Sequence, residues 1–292
     1  MISSDVFEKI SSMYNSFSKG QKKIAKYILE NYDKAAFMTA AVLSDTVGVS
    51  CSTVVRFAVQ LGFDGYPALT HALQRLVRTK LTSVQRMEVT SNRIGNSDIL
   101  STILNYDISN IKETLEEIDV IAFENAISNI VSSKKVYIIG FRSSSSLAQF
   151  LYFYLNLMFD NIVLVGATSV SDMYEQLHRI DKDDVLIAIS FPRYSSRTVK
   201  AVSYAKDNGA KVVAITDSEN APISQFSTHM LLAKSNIASF VDSLVAPLSV
   251  INALIAGLGM IKKDEVYGTF EKLEKLWTDY DVFKQSENSY EE

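Results

Sequence analysis

The chain has 292 residues, with 29 Lys and Arg against 33 Asp and Glu, and a formal net charge of −4. That length is too great for one ordinary small domain and fits two. No charge-free run of about 18 apolar residues occurs, which argues against a membrane-spanning helix, and a single cysteine, Cys51, excludes an intrachain disulfide.

The opening MISSDVFEKI lacks a basic-then-apolar signal, which with the lone thiol predicts a cytoplasmic protein. Residues 7–14 read as a short amphipathic helix. Ser18 is placed to cap the next one, 19–31, whose apolar stripe is Ile24, Tyr27 and Ile28. Lys19, Lys22, Lys23 and Lys26 line its other side, most of them as a solvated face, with one or two near the helix start able to reach phosphate.

Residues 39–62 organise this half of the chain. They predict two helices, 39–47 and 52–61, joined by a turn in which Gly48 takes a positive φ and Ser50 caps the second helix. Leu43, Val47, Val49, Val54 and Phe57 fall on buried faces. Ser52, Thr53, Arg56 and Gln60 face outward. Short polar donors at a helix start, followed by an arginine one turn on, suit a helix in a DNA major groove, so Ser50, Ser52, Thr53, Arg56 and Gln60 are the candidate DNA-binding residues. Pro67 opens a further helix, 68–81, with Leu69, Leu73, Leu76 and Val77 inward and Arg75, Arg78 and Lys80 outward. The first ninety residues hold eleven Lys and Arg against seven Asp and Glu, while the remainder carries net −8. A basic front end on an acidic body is the asymmetry expected of a DNA-binding module carried by a second domain.

Residues 82–98 are polar and aperiodic and read as a linker. Helical spacing returns over 98–118, with Ile99, Ile103, Ile108, Ile111 and Leu115 apolar, and again over 123–132. Then the pattern changes. Apolar, mostly β-branched runs at 136–140, 162–165, 185–190 and 211–216, with a weaker fifth at 229–233, alternate with helical stretches at 144–158, 172–178 and 196–208. That alternation implies a five-stranded parallel sheet flanked by helices. The expected organisation is therefore an all-α helix-turn-helix domain over 1–81, a linker over 82–105 and an α/β domain over 106–292. A long apolar helix over 241–260, rich in Ala and Gly, and a charged one over 264–280 complete the chain. The former suits a core helix whose second face meets a partner, so a homodimer or higher homo-oligomer is expected.

Ligands of open parallel sheets bind beyond the strands' C-terminal ends. Ser143, Ser144, Ser145 and Ser146 follow the first strand and open a helix. Ser190, Arg193, Tyr194 and Ser195 follow the third and open another. Helix capping explains either loop alone; hydroxyls and an arginine at two corresponding helix starts fit a shared phosphorylated ligand. No catalytic residue, metal ligand or cofactor is expected: Cys51, His71, His178 and His229 lie far apart without metal-ligand spacing.

The segment 49–57 (VSCSTVVRF) with 61–66 (LGFDGY), and 189–195 (ISFPRYS) leading to 214–218 (AITDS), resemble the RpiR family of bacterial transcription regulators. The resemblance covers nearly the whole chain. It implies an N-terminal helix-turn-helix that binds a double-stranded operator, ahead of a sugar isomerase (SIS) domain that binds a phosphosugar or related effector. The chain departs from the family pattern where Arg142 replaces a glycine of the first loop and Pro192-Arg193 replaces Ser-Gly of the second. A bulkier, more basic pocket implies a smaller or more acidic ligand, or an anion other than a sugar phosphate. SIS domains also occur in aldose–ketose isomerases, the alternative function. That chemistry needs a positioned base, and the nearest candidates, Glu175 and His178, read as a surface pair. A sensor without turnover is expected.

Overall fold

The computed structural model describes residues 6–80, 84, 87, 98–166, 169–236 and 241–283. The segment read as a linker falls largely outside these, as do the side chains of Arg75, Arg78 and Lys80.

The N-terminal module is six helices: α1 (Val6–Met13), α2 (Lys19–Glu30), α3 (Tyr32–Ala35), α4 (Ala40–Val47), α5 (Cys51–Gln60) and α6 (Tyr66–Lys80). Ile10, Ile24, Ile28, Leu43, Val54, Phe57, Leu69 and Leu73 meet in one core without solvent exposure. Phe17 and Phe57 rings pack 5.1 Å apart within it. Ser18 caps α2 through a capping box with Gln21, as its spacing predicted. Gly48 ends α4 at φ 66°, and the Ser50 hydroxyl accepts the Thr53 N–H at 3.2 Å to start α5. The four-residue α3 was not legible, because one turn is too short to show a period. It is held from outside: Tyr66 donates its hydroxyl to the Met38 carbonyl (2.9 Å) and Gln74 its amide to that of Ala36 (3.0 Å).

The second module opens with α7 (Ile99–Glu117) and α8 (Val120–Ser132). The strands are β1 (Val136–Gly140), β2 (Ile162–Val165), β3 (Val185–Ile189), β4 (Lys211–Thr216) and β5 (His229–Leu232), all parallel, in the order β2-β1-β3-β4-β5. The helices between them are α9 (Ser144–Leu155), α10 (Val170–Leu177) and α11 (Ser196–Asp207), and α12 (Val245–Ile261) and α13 (Lys263–Asp279) follow. Side chains alternate across the sheet. Val136, Ile138, Ile187 and Val213 pack under α8, α9 and α12, whereas Tyr137, Ile139, Leu186 and Val212 pack under α10 and α11. At the start of β4, Lys211 donates to the Asn129 amide oxygen and the Asn129 amide meets His229 Nε2, each at 2.5 Å. Burial, and then the Lys211 charge, hold the His229 imidazole below its ordinary pKa.

The α7 helix forms where its spacing predicts, with much of its apolar side turned outward: its buried residues are Asn110 and Thr114, while Ile99, Ile108 and Leu115 are exposed. The buried face is polar because it meets backbone. Asn110 donates to the Asn236 carbonyl (3.1 Å) and accepts the Asn236 N–H (2.9 Å), and the Thr114 hydroxyl accepts the Lys234 N–H (2.8 Å). A chain leaving the sheet at β5 carries unpaired donors and acceptors, and side-chain amides and hydroxyls on α7 satisfy them.

Candidate functional site

On the N-terminal module the outward face of α5 carries Ser52 and Arg56, both exposed. Ser50 Oγ lies 2.8 Å from both Ser52 Oγ and Thr53 Oγ1, so the three hydroxyls form one cluster at the helix start. Thr53 is half-buried. Gln60 differs from expectation: its Oε1 accepts the Gln21 side-chain amide at 2.7 Å, tying α5 to α2 rather than standing free for a groove. The same face exposes Val55 (39%) and Val59 (57%), which sequence reasoning passed over because apolar residues on a short helix read as core. The α2 helix packs beside the start of α5 at Gly20, where a Cβ would sit 3.4 Å from Thr53 Cγ2, in van der Waals contact. Cys51, in the first turn, is exposed.

On the second module the strand order sets the place of the other site. The chain passes from β1 outward to β2 and then returns to β3 on β1's other side, so the crossovers diverge between β1 and β3. A crevice opens at such a switch point. Here it is a cavity of about 400 Å³, lined by Phe141, Arg142, Ser143 and Ser144 from the loop after β1, by Ser190, Pro192, Arg193 and Ser195 from the loop after β3, and by Val241 and Asp242 from the segment before α12. Gly140 allows the tight entry from β1 into α9, since a Cβ there would lie 2.5 Å from the Ser144 carbonyl oxygen. The β1 loop also meets the first turn of α11: the Arg197 guanidinium stands over the Phe141 ring, 5.8 Å from its centroid.

Five of the eight predicted effector residues meet in this cavity: Ser143, Ser144, Ser190, Arg193 and Ser195. Three do not line it. Ser145 turns back and donates to the Arg142 carbonyl at 2.6 Å, Ser146 is exposed one residue further along α9, and Tyr194 donates to Asp217 Oδ1 at 2.9 Å. A serine run at a helix start cannot send successive side chains one way, because each residue turns about 100° from the last. Arg142, which the sequence places in the first loop as a source of a more basic pocket, lines the cavity too. Asp242 was missed as a lining residue, since nothing in the sequence ties it to the β3 loop so far upstream.

Capping does not account for these serines. Ser18, Thr39, Ser50 and Ser169 each accept a backbone N–H at the start of their helices. Ser143 and Ser195 hold the same position before α9 and α11, and neither side chain makes a cap bond. The Ser190 side chain is 2% exposed with its hydroxyl unpartnered, one of two such buried hydroxyls among the described residues, the other being Thr198 on α11. Its backbone is fixed: Ser190 N–H donates to the Ile215 carbonyl (3.1 Å), and Thr216 donates its hydroxyl to the Ser190 carbonyl (2.7 Å). Arg142 and Arg193 both adopt left-handed backbone, φ 59° and 63°, where a Cβ is disfavoured. Glu175 and His178 lie elsewhere, exposed on and just after α10; Glu175 accepts from Ser171 and His178 from Arg179.

Comparison with known proteins adds the relatives. Residues 4–80 match the family model described as a helix-turn-helix domain, rpiR family, and residues 129–257 match that of the SIS domain. An uncharacterized HTH-type transcriptional regulator of Haemophilus influenzae is 28% identical over 234 residues, covering 79% of this chain and 80% of that protein. The HTH-type transcriptional regulator HexR of Pseudomonas aeruginosa is 23% identical over 262 residues, covering 87% and 89%. Among solved structures, the sugar isomerase domain of an RpiR transcription factor from Sphaerobacter thermophilus is similar with a TM-score of 0.57 and 24% identity, over 61% of this chain and 98% of that one. The NanR protein of Vibrio vulnificus, complexed with ManNAc-6P, is similar with a TM-score of 0.57 and 23% identity, over 93% and 98%. The last two likenesses establish the fold.

Proposed function

The chain belongs to the RpiR family, a helix-turn-helix domain followed by a SIS domain, and from that premise we propose that it is a cytoplasmic, non-enzymatic transcription regulator that reads a phosphosugar or related phosphorylated effector. One module, 1–81, grips a double-stranded operator through the α5 face bearing Ser50, Ser52, Thr53 and Arg56. The other, 106–292, takes the effector in the cavity between the β1 and β3 loops. A homodimer presents two α5 helices to a pseudo-palindromic site, and the effector favours one spacing of those helices over another.

The observation that carries this reading is the buried, unpartnered Ser190 hydroxyl at the switch point, flanked by two helix starts whose serines make no cap bond. Leaving a buried hydroxyl unpaired costs about 1–3 kcal/mol. A phosphate oxygen at this place accepts that hydroxyl and meets the positive ends of α9 and α11. NanR, of the same fold, binding ManNAc-6P supports the choice of ligand class. Proton transfer between sugar carbons needs a base beside the substrate; Glu175 and His178 lie outside the cavity lining, which leaves Asp242 as its one carboxylate, and the regulators among the relatives favour sensing over isomerisation.

The test is the variant Ser190→Ala with Ser195→Ala. Removing an unpartnered hydroxyl leaves the fold intact, so the melting temperature stays near that of the parent. In a gel-retention assay the variant holds operator DNA and no longer responds to sugar phosphates that shift the parent. A normal response refutes the cavity assignment. Turnover of a sugar phosphate by the parent refutes the sensor reading.

A further inference from the structure

The outermost stripe of α5 runs Ser52, Val55, Arg56 and Val59, at the i, i+3, i+4 and i+7 spacing of one helix face, and all four are exposed. Val54, Phe57 and Ala58 are buried on the opposite side, so this stripe is the line furthest from the module's core. Most of the polar groups around it are already engaged. The Ser52 and Thr53 hydroxyls meet Ser50 Oγ, and Gln60 is bonded to Gln21. Beyond its first turn, α5 therefore presents one arginine between two valines. Folding does not call for valine at either place. A β-branched side chain lowers helix propensity, and exposure leaves its methyl groups in water. A contact made outside the fold accounts for both.

Each base pair shows the major groove a distinct edge, and thymine is set apart by its apolar C5 methyl group. A valine side chain neither donates nor accepts a hydrogen bond, so that methyl is the base-edge feature it can read. Residues 55 and 59 are separated by about 6 Å along the helix axis, close to two base steps of about 3.4 Å along a strand. Arg56, on the same face, carries the planar fork that matches guanine O6 and N7. We propose that Val55 and Val59 determine operator specificity by contacting thymine methyl groups on either side of a guanine taken by Arg56. This rests on the reading of α5 as the operator-binding helix and adds the base chemistry that the helix selects.

The experiment uses the full chain and a pool of duplexes with a random central segment. Gel retention and sequencing of the bound fraction give a preferred duplex. Each thymine in it is then replaced, one at a time, by deoxyuridine, which removes the C5 methyl and keeps base pairing and every groove donor and acceptor. At one or two positions in each half-site the parent loses about fourfold in affinity, the scale of burying one methyl group. In Val55→Ser with Val59→Ser the thymine-to-uracil ratio at those positions falls to about one. Serine and valine have similar helix propensities and both sites are exposed, so this variant keeps the parental melting curve by circular dichroism. Arg56→Ala loses the preference for guanine beside those thymines; a guanine preference that survives overturns the arrangement. If uracil is tolerated at every thymine, the inference falls and the operator reading stands. If no sequence is enriched, both fall. A methyl effect that survives the serine variant removes the valines from base reading. So does a serine variant whose only change is weaker self-association in sedimentation, which assigns the valines to a protein contact.

Discussion

Arg56 and Gln60 stand one turn apart on α5 and serve different ends. Gln60 accepts the Gln21 amide and joins two helices, whereas Arg56 is exposed beside the hydroxyl cluster at the helix start. Arg56→Ala is expected to weaken operator binding by about 1–3 kcal/mol, the scale of a bidentate base contact, and to leave stability unchanged. Gln60→Ala should behave in reverse: it strips the partner from the nearly buried Gln21 side chain, lowering stability by about 1 kcal/mol, with a smaller effect on DNA. Gel retention and thermal melts on the two variants separate these outcomes. From sequence the two residues looked alike, because each projects from the same side of one helix. A hydrogen bond between residues 39 positions apart leaves no periodic trace. That Ser190 stands at the end of its strand beside the other loop was legible and its lack of a partner was not, since satisfaction depends on everything packed around it.

At the scale of elements, the strands were readable almost to the residue. The three central ones, β1, β3 and β4, are runs rich in β-branched residues and buried on both faces, closed by glycine, a hydroxyl or a turn. Caps announced α2 and α5 for the same reason: Ser18 and Ser50 have the chemistry that a helix start rewards, whereas Thr39, read as the first residue of its helix, is the cap of α4. The orientation of α7 was not legible, because its buried face answers backbone groups rather than apolar side chains. That orientation has a functional reach. Ser243, next to the cavity residue Asp242, donates to Asp107 on α7 at 2.6 Å, and the Ser235 hydroxyl donates to the Ser243 carbonyl at 2.8 Å. The α7 helix is also the first element after the segment that leads from the DNA-binding module. A ligand that draws Asp242 inward therefore pulls on α7. Asp107→Ala is expected to bind effector with near-parental affinity in calorimetry while releasing operator less completely, a lost coupling on the order of 1–3 kcal/mol. Unchanged release would show that the signal leaves the cavity by another path.

Across the whole molecule the exposed apolar side chains concentrate in the second module, on α7, α12 and α13. Leu104, Leu115, Met260 and Tyr267 are each more than half exposed, and no residue of α13 is buried. A 17-residue helix with no buried side chain has little to hold it in water by itself. On α12 one face is core (Ala246, Val250, Ile251, Leu254, Leu258), and the other carries Ala253 and Ala256 in the open. Small residues there allow a second helix to approach closely. Sedimentation equilibrium is expected to give a dimer, and Ala256→Arg to shift it toward monomer and weaken operator binding with it, since two half-sites are then gripped independently. A parental chain that sediments as a monomer at micromolar concentration would remove the dimer from the mechanism.

Cys51 is the sole thiol of the chain, and it lies open in the first turn of α5. A maleimide dye can therefore be attached at one place per polypeptide without engineering. In an assembly of two copies, a donor and an acceptor fluorophore at that position form a ruler between the two reading helices. Energy transfer along it follows their separation in solution as a metabolite is titrated in, before any DNA is added.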